Sequence, residues 1–384
     1  MMFLKRKYLF GSFVIACVAT ACSSMPDTNE VVVKNEFAGV SFKFENIQSE
    51  TGAENSTDSM YCLLNRIQYT CHYFVKTDLN GVPENKNQVS SSEEITDGSL
   101  FDSKLYIKPG EYNMCVFNKP QKGLLVDSLL IFQTTTDVSL RDLVLSVEKR
   151  DMSEMDALVG NDGTMAKWID LNGAYPYIQN ISPVSSDIKQ NFMINSVEET
   201  VLSFSPQRLT QRVVIPFQVT VEDGVTISKA LMEVSGIARQ KYLLNNILVS
   251  DYEGTNTART ILKAQNVKTE GNNYFFEVEL HSLGLIPNRL DESSIGPGVI
   301  QLGIFAEASG KSKTLRTTKN ISRFLREENS VEYNKVEDYY KVKNYDVVLN
   351  TGFRFMITKE QVMSDTEDGV HEWDDEDNDM EGEI

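Results

Sequence analysis

Few side chains in this 384-residue sequence have the type and spacing for chemistry. The three histidines, His72, His281 and His371, are too far apart to form a metal pair, and no two cysteines have zinc spacing. His72 falls inside an expected strand and His281 ends another, so both read as structural histidines. Ser186 and Lys189 make a lone S-x-x-K without a K-T-G partner, a tetrapeptide common by chance. No nucleophile elbow and no phosphate-cradling glycine loop is present. Near the C-terminus Asp375, Asp377 and Asp379 alternate as in a calcium loop, but Met380 stands where the loop needs glycine. The run reads instead as a solvated acidic end. No enzyme activity, cofactor or metal is expected from this inventory.

The thiols carry more information. Lys5, Arg6 and Lys7 form a basic head, residues 8–21 are almost wholly apolar, and Ala19-Thr20-Ala21-Cys22 closes the stretch with small residues. That is the anatomy of a secretory signal peptide, and it is too short to span a bilayer, which takes about 20 apolar residues. Small residues directly before a cysteine form a bacterial lipobox, in which the thiol is acylated with palmitate-type chains and the leader is cut just ahead of it. Val14-Ile15-Ala16-Cys17 also fits, yet apolar residues follow Cys17, whereas polar Ser23-Ser24 follow Cys22. Cys22 is the expected lipidation site. One acyl chain holds a protein only marginally, and several hold it durably.

Three cysteines remain, Cys62, Cys71 and Cys115, so one thiol at least stays free. A single strand over residues 60–75 would put Cys62 and Cys71 about 30 Å apart at ~3.3 Å per residue, out of bonding reach. A Cys71–Cys115 or Cys62–Cys115 bridge between neighbouring strands, or three buried thiols, stay open.

The elements that would position these residues are strands. Residues 40–44, 69–75, 112–117 and 124–132 read as strands, and Lys108-Pro109-Gly110-Glu111 reads as a turn. Residues 140–155 carry a weak helical period. A second block opens near Pro206. Its strand over residues 213–221 contains Pro216, which points to a sheet edge or a bulge. Residues 230–234 form a strand ending at Ser235-Gly236, residues 274–280 alternate, and residues 299–306 are apolar enough for a central strand. The last pair covers residues 347–349 and 353–357, and residues 321–328 form a short helix. This pattern predicts an all-β chain with two tandem β-sandwiches and few short helices. The expected division is a signal peptide over 1–21, a tether over 22–35, sandwiches over 36–180 and 181–363, and an acidic tail over 364–384. Trp373 and Val370 are expected to dock part of that tail on the second sandwich.

Apolar (41%) and charged (24%) contents are ordinary, but the net charge of −18 is not. Eleven Asp or Glu and no Lys or Arg lie between Asp365 and Glu383, so much of the excess sits in the tail. Such a chain lacks the basic surface that nucleic acid requires. Anionic lipid would repel it, so membrane attachment must come from the acyl chains.

Taken together, the lipobox, the Pro109-to-Tyr112 turn with Val116-Phe117-Asn118, the stretch from Ala230 to Ala238 and the acidic tail around Trp373 resemble the fimbrillin-type surface lipoproteins of Bacteroidales, nearest to their fimbrial anchor or accessory subunits. The resemblance implies transthyretin-like (Greek-key) sandwiches, lipid anchoring at the cell outer membrane, and a part in fimbrium assembly and cell adhesion with other surface subunits. The mechanism such a role needs is β-strand addition at an open sheet edge, for which the Pro216 strand and the strand over residues 353–357 are candidates. A carbohydrate-binding surface lipoprotein is the alternative, and it would need clustered exposed aromatics. Trp168 and Trp373 are far apart in sequence.

Overall fold

Alternation of apolar and polar residues dictates the first layer. In the strand Ala38–Phe44, Ala38, Val40 and Phe42 are buried while Ser41 and Lys43 turn outward. The structure, a computed structural model, describes residues 37–45, 59–67, 72–83, 100–101, 104–118, 123–127, 140, 143–150, 176–195, 199–250, 253–254 and 256–364. The leader with Cys17 and Cys22, the tether, Cys71, Trp168 and the tail with His371 and Trp373 lie outside them.

Ala38–Phe44 sits in a four-stranded sheet I between Thr200–Phe204 and Lys104–Ile107, with Leu100–Phe101 beyond. Sheet II has five strands in the order Gln207–Arg208, Ser185–Ile194, Gly110–Asn118, Ser59–Arg66 and His72–Asp78. Val40, Phe42, Leu105 and Ile107 of sheet I meet Cys62, Leu64, Val75, Met114 and Val116 of sheet II. Each such fully buried aliphatic contributes roughly 1.5–3 kcal/mol. The expected Pro109-Gly110 turn carries the chain from one sheet to the other. Arg66 donates from Nη2 to Pro109 O at 2.7 Å, and Tyr112 Oη donates to Lys108 O at 2.5 Å, tying the crossing down.

The second sandwich follows the same logic. Sheet IV orders Gln265–Glu270, Asn273–Ser282 and Gln211–Val221, with Asp346–Val348 and Arg354–Ile357 both on the far side of the last. Sheet V orders Thr257–Lys263, Val225–Ala238, Val299–Ala308 and Lys311–Asn320. Val213, Ile215, Phe276 and Val278 pack against Met232, Val234, Ile300 and Leu302. Val299–Ala308 is central, as its composition predicts. Among the described residues two short helices, Ser322–Glu327 and Lys359–Met363, accompany the strands of an all-β fold of sandwiches with little helix.

A fifth sheet, III, was not foreseen. Its six strands run Val331–Asn334, Tyr339–Val342, Ile247–Leu248, Gln240–Tyr242, Val144–Val147 and Leu124–Asp127, so both halves of the chain share it. It covers the outer face of sheet II, and Leu63, Phe117, Leu143 and Leu145 share one core with Leu248, Leu283 and Tyr340.

Several expectations are corrected. The boundary at residue 180 does not hold, because Ser185–Ile194 pairs with Gly110–Asn118 and Thr200–Phe204 pairs in parallel with Ala38–Phe44. Parallel pairing leaves no hairpin signature, so the sequence conceals it. The weak helical period over 140–155 gives way, in its described part, to the strand Val144–Val147, since four residues cannot distinguish the two periods. Residues 60–75 are not one strand but the hairpin arms Ser59–Arg66 and His72–Asp78. The strand expected to end at Ser235-Gly236 runs on to Ala238 through a bulge, where Gly236 adopts φ +90°. A Cβ there would lie 2.6 Å from Gly298 N and Ile286 O.

Candidate assembly edge

Pro216 is not at an edge. Gln211–Val221 pairs along its length with Asn273–Ser282, and its other side carries Asp346–Val348 at one end and Arg354–Ile357 at the other, both parallel. Even-numbered residues of this strand face that second side: Gln218 N donates to Phe353 O and Leu349 N to Val214 O, each at 2.9 Å. Pro216, which lacks an N–H, therefore faces the gap between the two partner strands. Thr351 fills the gap by donating from Oγ1 to Pro216 O at 3.1 Å. The proline selects an interrupted partner instead of an absent one.

The interrupted pair is the margin of sheet IV among the described strands, and the strand over residues 353–357 is an edge among them, as expected. Tyr345 and Phe353 direct their carbonyls to Gln211–Val221. Alternation then turns the N–H and C=O of Asp346, Val348, Arg354 and Met356 away from it, and no described strand pairs with them. The inner side chains hold the margin in place. Phe355 packs edge-on to Phe217 at 6.2 Å, and Phe353 meets Phe324 at 5.8 Å. Val348 and Met356 are both 54% exposed, apolar groups beside outward backbone. Arg212 pins the Asp346 end, donating to Asp346 Oδ1 at 2.9 Å and Glu279 Oε2 at 2.8 Å. The Arg212 hydrogen bond holds the Glu279 carboxyl below its ordinary pKa, and hydrogen bonding to Glu279 raises that of Arg212.

The other singled-out residues do not converge on a reaction centre. Ser186 and Lys189 lie three apart on Ser185–Ile194 and so face opposite sides, Lys189 Nζ standing 5.5 Å from the Phe204 ring. His281 donates from Nε2 to Glu279 Oε1 at 2.7 Å, while its Nδ1 is buried without a hydrogen bond. His72 opens the strand His72–Asp78 opposite Asn65. Cys62 and Cys115 are buried free thiols on adjacent strands. Leu63 pairs with Cys115, so Cys62 faces the opposite side of the sheet and a Cys62–Cys115 bridge is excluded. Burial pushes both thiols up, Cys115 to about 12. Among the described side chains every Phe and Tyr is buried or half-buried.

Two buried polar sites escaped the sequence reading. Glu233 accepts from Tyr177 Oη at 2.5 Å and lies 3.5 Å from Arg259 Nη1, while the Arg259 guanidinium stacks 4.2 Å from the Tyr177 ring. The group fastens residues 176–178 to sheet V. A carboxylate inside an apolar run was a visible signal for it. Lys241, fully buried in sheet III, donates to Leu209 O at 2.6 Å and stands 4.9 Å from the Tyr345 ring. Burial, with Lys341 nearby, lowers its pKa to about 7. Nothing in the local sequence marks this lysine.

No family model and no curated protein matches the chain. Solved structures similar to it include a proposed adhesin from Bacteroides ovatus, 9% identical over 88% of this chain and 98% of the other, at a TM-score of 0.46. A proposed polysaccharide-binding protein from Bacteroides thetaiotaomicron is 13% identical over 83% and 90%, at 0.40. The fimbrial anchor protein Mfa2 from Porphyromonas gingivalis is 9% identical over 80% and 95%, at 0.35. At these values the likeness assigns no residue of this chain a role.

Proposed function

We propose that the chain is a lipid-anchored structural and adhesion protein of the cell surface, a fimbrial anchor or accessory subunit held at the outer membrane by acyl chains on Cys22. It is not an enzyme. It joins other surface subunits by accepting a β-strand along the margin formed by Asp346–Val348 and Arg354–Ile357. The observation that carries this reading is the backbone of Val348, Arg354 and Met356, turned outward beside exposed Val348 and Met356, with the Asp346 carbonyl beyond them while its N–H donates to Asn344 Oδ1 at 3.2 Å. Added strands gain affinity from such backbone groups and register from alternate side chains. The leader and lipobox supply the export and the mooring. The domain reading that goes with it is two sandwiches joined by sheet III, the first reaching to Arg208.

Two substitutions test the halves of this proposal separately. Cys22→Ser is expected to abolish incorporation of labelled palmitate and to release the protein from the membrane fraction; unchanged membrane retention would overturn the anchoring. Met356→Pro removes an N–H that faces away from Gln211–Val221, so the fold loses no ladder bond. Its melting temperature is expected to stay within a few degrees of wild type, while co-purification of filament subunits in mild detergent disappears. Undiminished co-purification by a folded Met356→Pro protein would exclude this margin as the acceptor.

A further inference from the structure

We propose that a second margin, the edge strand Lys311–Asn320, is an interaction surface for an extended acidic segment, and that in the free protein its occupant is the chain's own tail, residues 365–384. This inference is independent of the lipid anchor and of the margin on sheet IV. In a chain of net charge −18, the stretch from Lys311 to Arg326 holds six Lys or Arg and no Asp or Glu. Four of them, Lys311, Lys313, Arg316 and Lys319, lie on this one strand. The strand pairs over its full length with Val299–Ala308, and no described strand lies on its other side. Ile321 N donates to Gly298 O, which fixes the alternation and turns the N–H and C=O of Ser312, Thr314 and Thr318 outward. The margin thus offers a ladder and positive charge together.

The tail is delivered to this margin by the last helix. Thr358 caps Lys359–Met363 with a capping box, and the helix packs Val362 into the core. Its C-terminal end is gripped by the edge strand itself. Lys311 Nζ donates to Met363 O at 3.2 Å, and Lys313 Nζ donates to Gln361 O at 2.9 Å and to Ser364 Oγ at 2.8 Å. The described chain therefore ends at Ser364 beside Lys313, at one end of the margin. Seven residues at ~3.3 Å each, about 23 Å, reach from there to Asn320. The tail has length to spare, and its eleven carboxylates meet the basic side chains. A tether this short gives an effective concentration in the millimolar range, so a weak charge-assisted pairing suffices. Lysines on an edge strand also serve as guards against edge-to-edge aggregation. That role needs no tail, and the test separates the two.

The experiment is hydrogen exchange on the full chain, a chain ending at Ser364, and a full chain carrying Asp365→Asn, Glu367→Gln and Asp368→Asn. The amides of Ser312, Thr314 and Thr318 are expected to exchange about tenfold faster in both variants, with those of Val299–Ala308 unchanged. Raising salt to about 1 M, where the screening length falls to about 3 Å, is expected to reproduce the effect in wild type. A peptide of residues 365–384 added in millimolar amount is expected to restore slow exchange in the shortened chain. Equal exchange in all three proteins would overturn the proposal and leave the lysines as guards. Protection that rises with protein concentration would also overturn it, because the occupant would then be the tail of a second copy.

Discussion

Replacing Lys241 with methionine tests how dry the joint between the two halves is. The lysine is fully buried on the middle strand Gln240–Tyr242 of sheet III, opposite Leu145. Its partners are the Leu209 carbonyl and the Tyr345 ring, and the nearby charge is Lys341, which opposes ionisation. An ordinary lysine titrates near 10.5, and this one is lowered to about 7. At 1.36 kcal/mol per pH unit the buried ammonium costs about 5 kcal/mol wherever it is charged. Between about pH 7 and 10.5 the unfolded chain holds a proton that the folded chain lacks, so wild-type stability rises with pH across that window and is flat below it. Tyr345 is raised above its ordinary value by burial, so it adds no titration in most of the window. Methionine keeps the length of the stem and removes the charge. It also strands the Leu209 carbonyl, at about 1–3 kcal/mol, and forfeits the ring contact, at about 1 kcal/mol. Lys241→Met is therefore expected to be about 1–3 kcal/mol more stable than wild type at pH 6 and less stable at pH 10, with the order reversing between. Urea midpoints followed by circular dichroism at pH 6, 8 and 10 read this directly. Parallel pH profiles for the two proteins would show that water reaches the ammonium and refute the reasoning.

Three other substitutions or probes follow from buried groups. Glu233→Ala leaves Arg259 and Tyr177 without their shared carboxylate and is expected to cost about 3 kcal/mol in urea unfolding; a loss under about 1 kcal/mol would mean the pair is solvated. Gly236→Ala forces a Cβ to within 2.6 Å of two backbone atoms, whereas Gly224→Ala meets nothing within 4 Å at a similar φ, +85° against +90°. The first is expected to cost at least about 3 kcal/mol and the second about 1 kcal/mol, and equal melting temperatures would contradict the packing. Cys62 and Cys115, both buried with their thiols pushed up, are expected to ignore a maleimide at pH 7 until urea unfolds the chain; labelling of either in the native protein would contradict their placement.

Strands with long, clean alternation were legible. Residues 40–44 and 274–280 announce their inner faces, and the apolar run at 299–306 announces a central position. Rules of one residue were less safe. Pro216 truly lacks a donor, yet the inference to an edge assumed an unbroken partner, and the fold supplied two short partners with a gap between them. Sheet III was hidden for a different reason. Its strands have two to four residues each and are drawn from 124 to 342, so no window of sequence contains their pairing. The open margin beside Arg354–Ile357 was legible from terminal position, but the grip of Lys311 and Lys313 on the last helix was not, because it rests on pairing across some fifty residues.

Sheet III also changes what the connection between the sandwiches does. A flexible linker would let each half turn freely, whereas here opening the joint must break the ladder of Gln240–Tyr242 with Val144–Val147 and bare the core of Leu143, Leu145 and Leu248. Any state of the second half that wets Lys241 restores its ordinary affinity for protons, so acid favours such a state and alkali the folded one. Below pH 7 the difference approaches the full 5 kcal/mol or so that burial of the ammonium costs, a large fraction of the 5–15 kcal/mol that holds a typical domain together. The margins of sheets IV and V both lie on the second sandwich, and the first sandwich is fixed to that body by a shared sheet and not by a free linker.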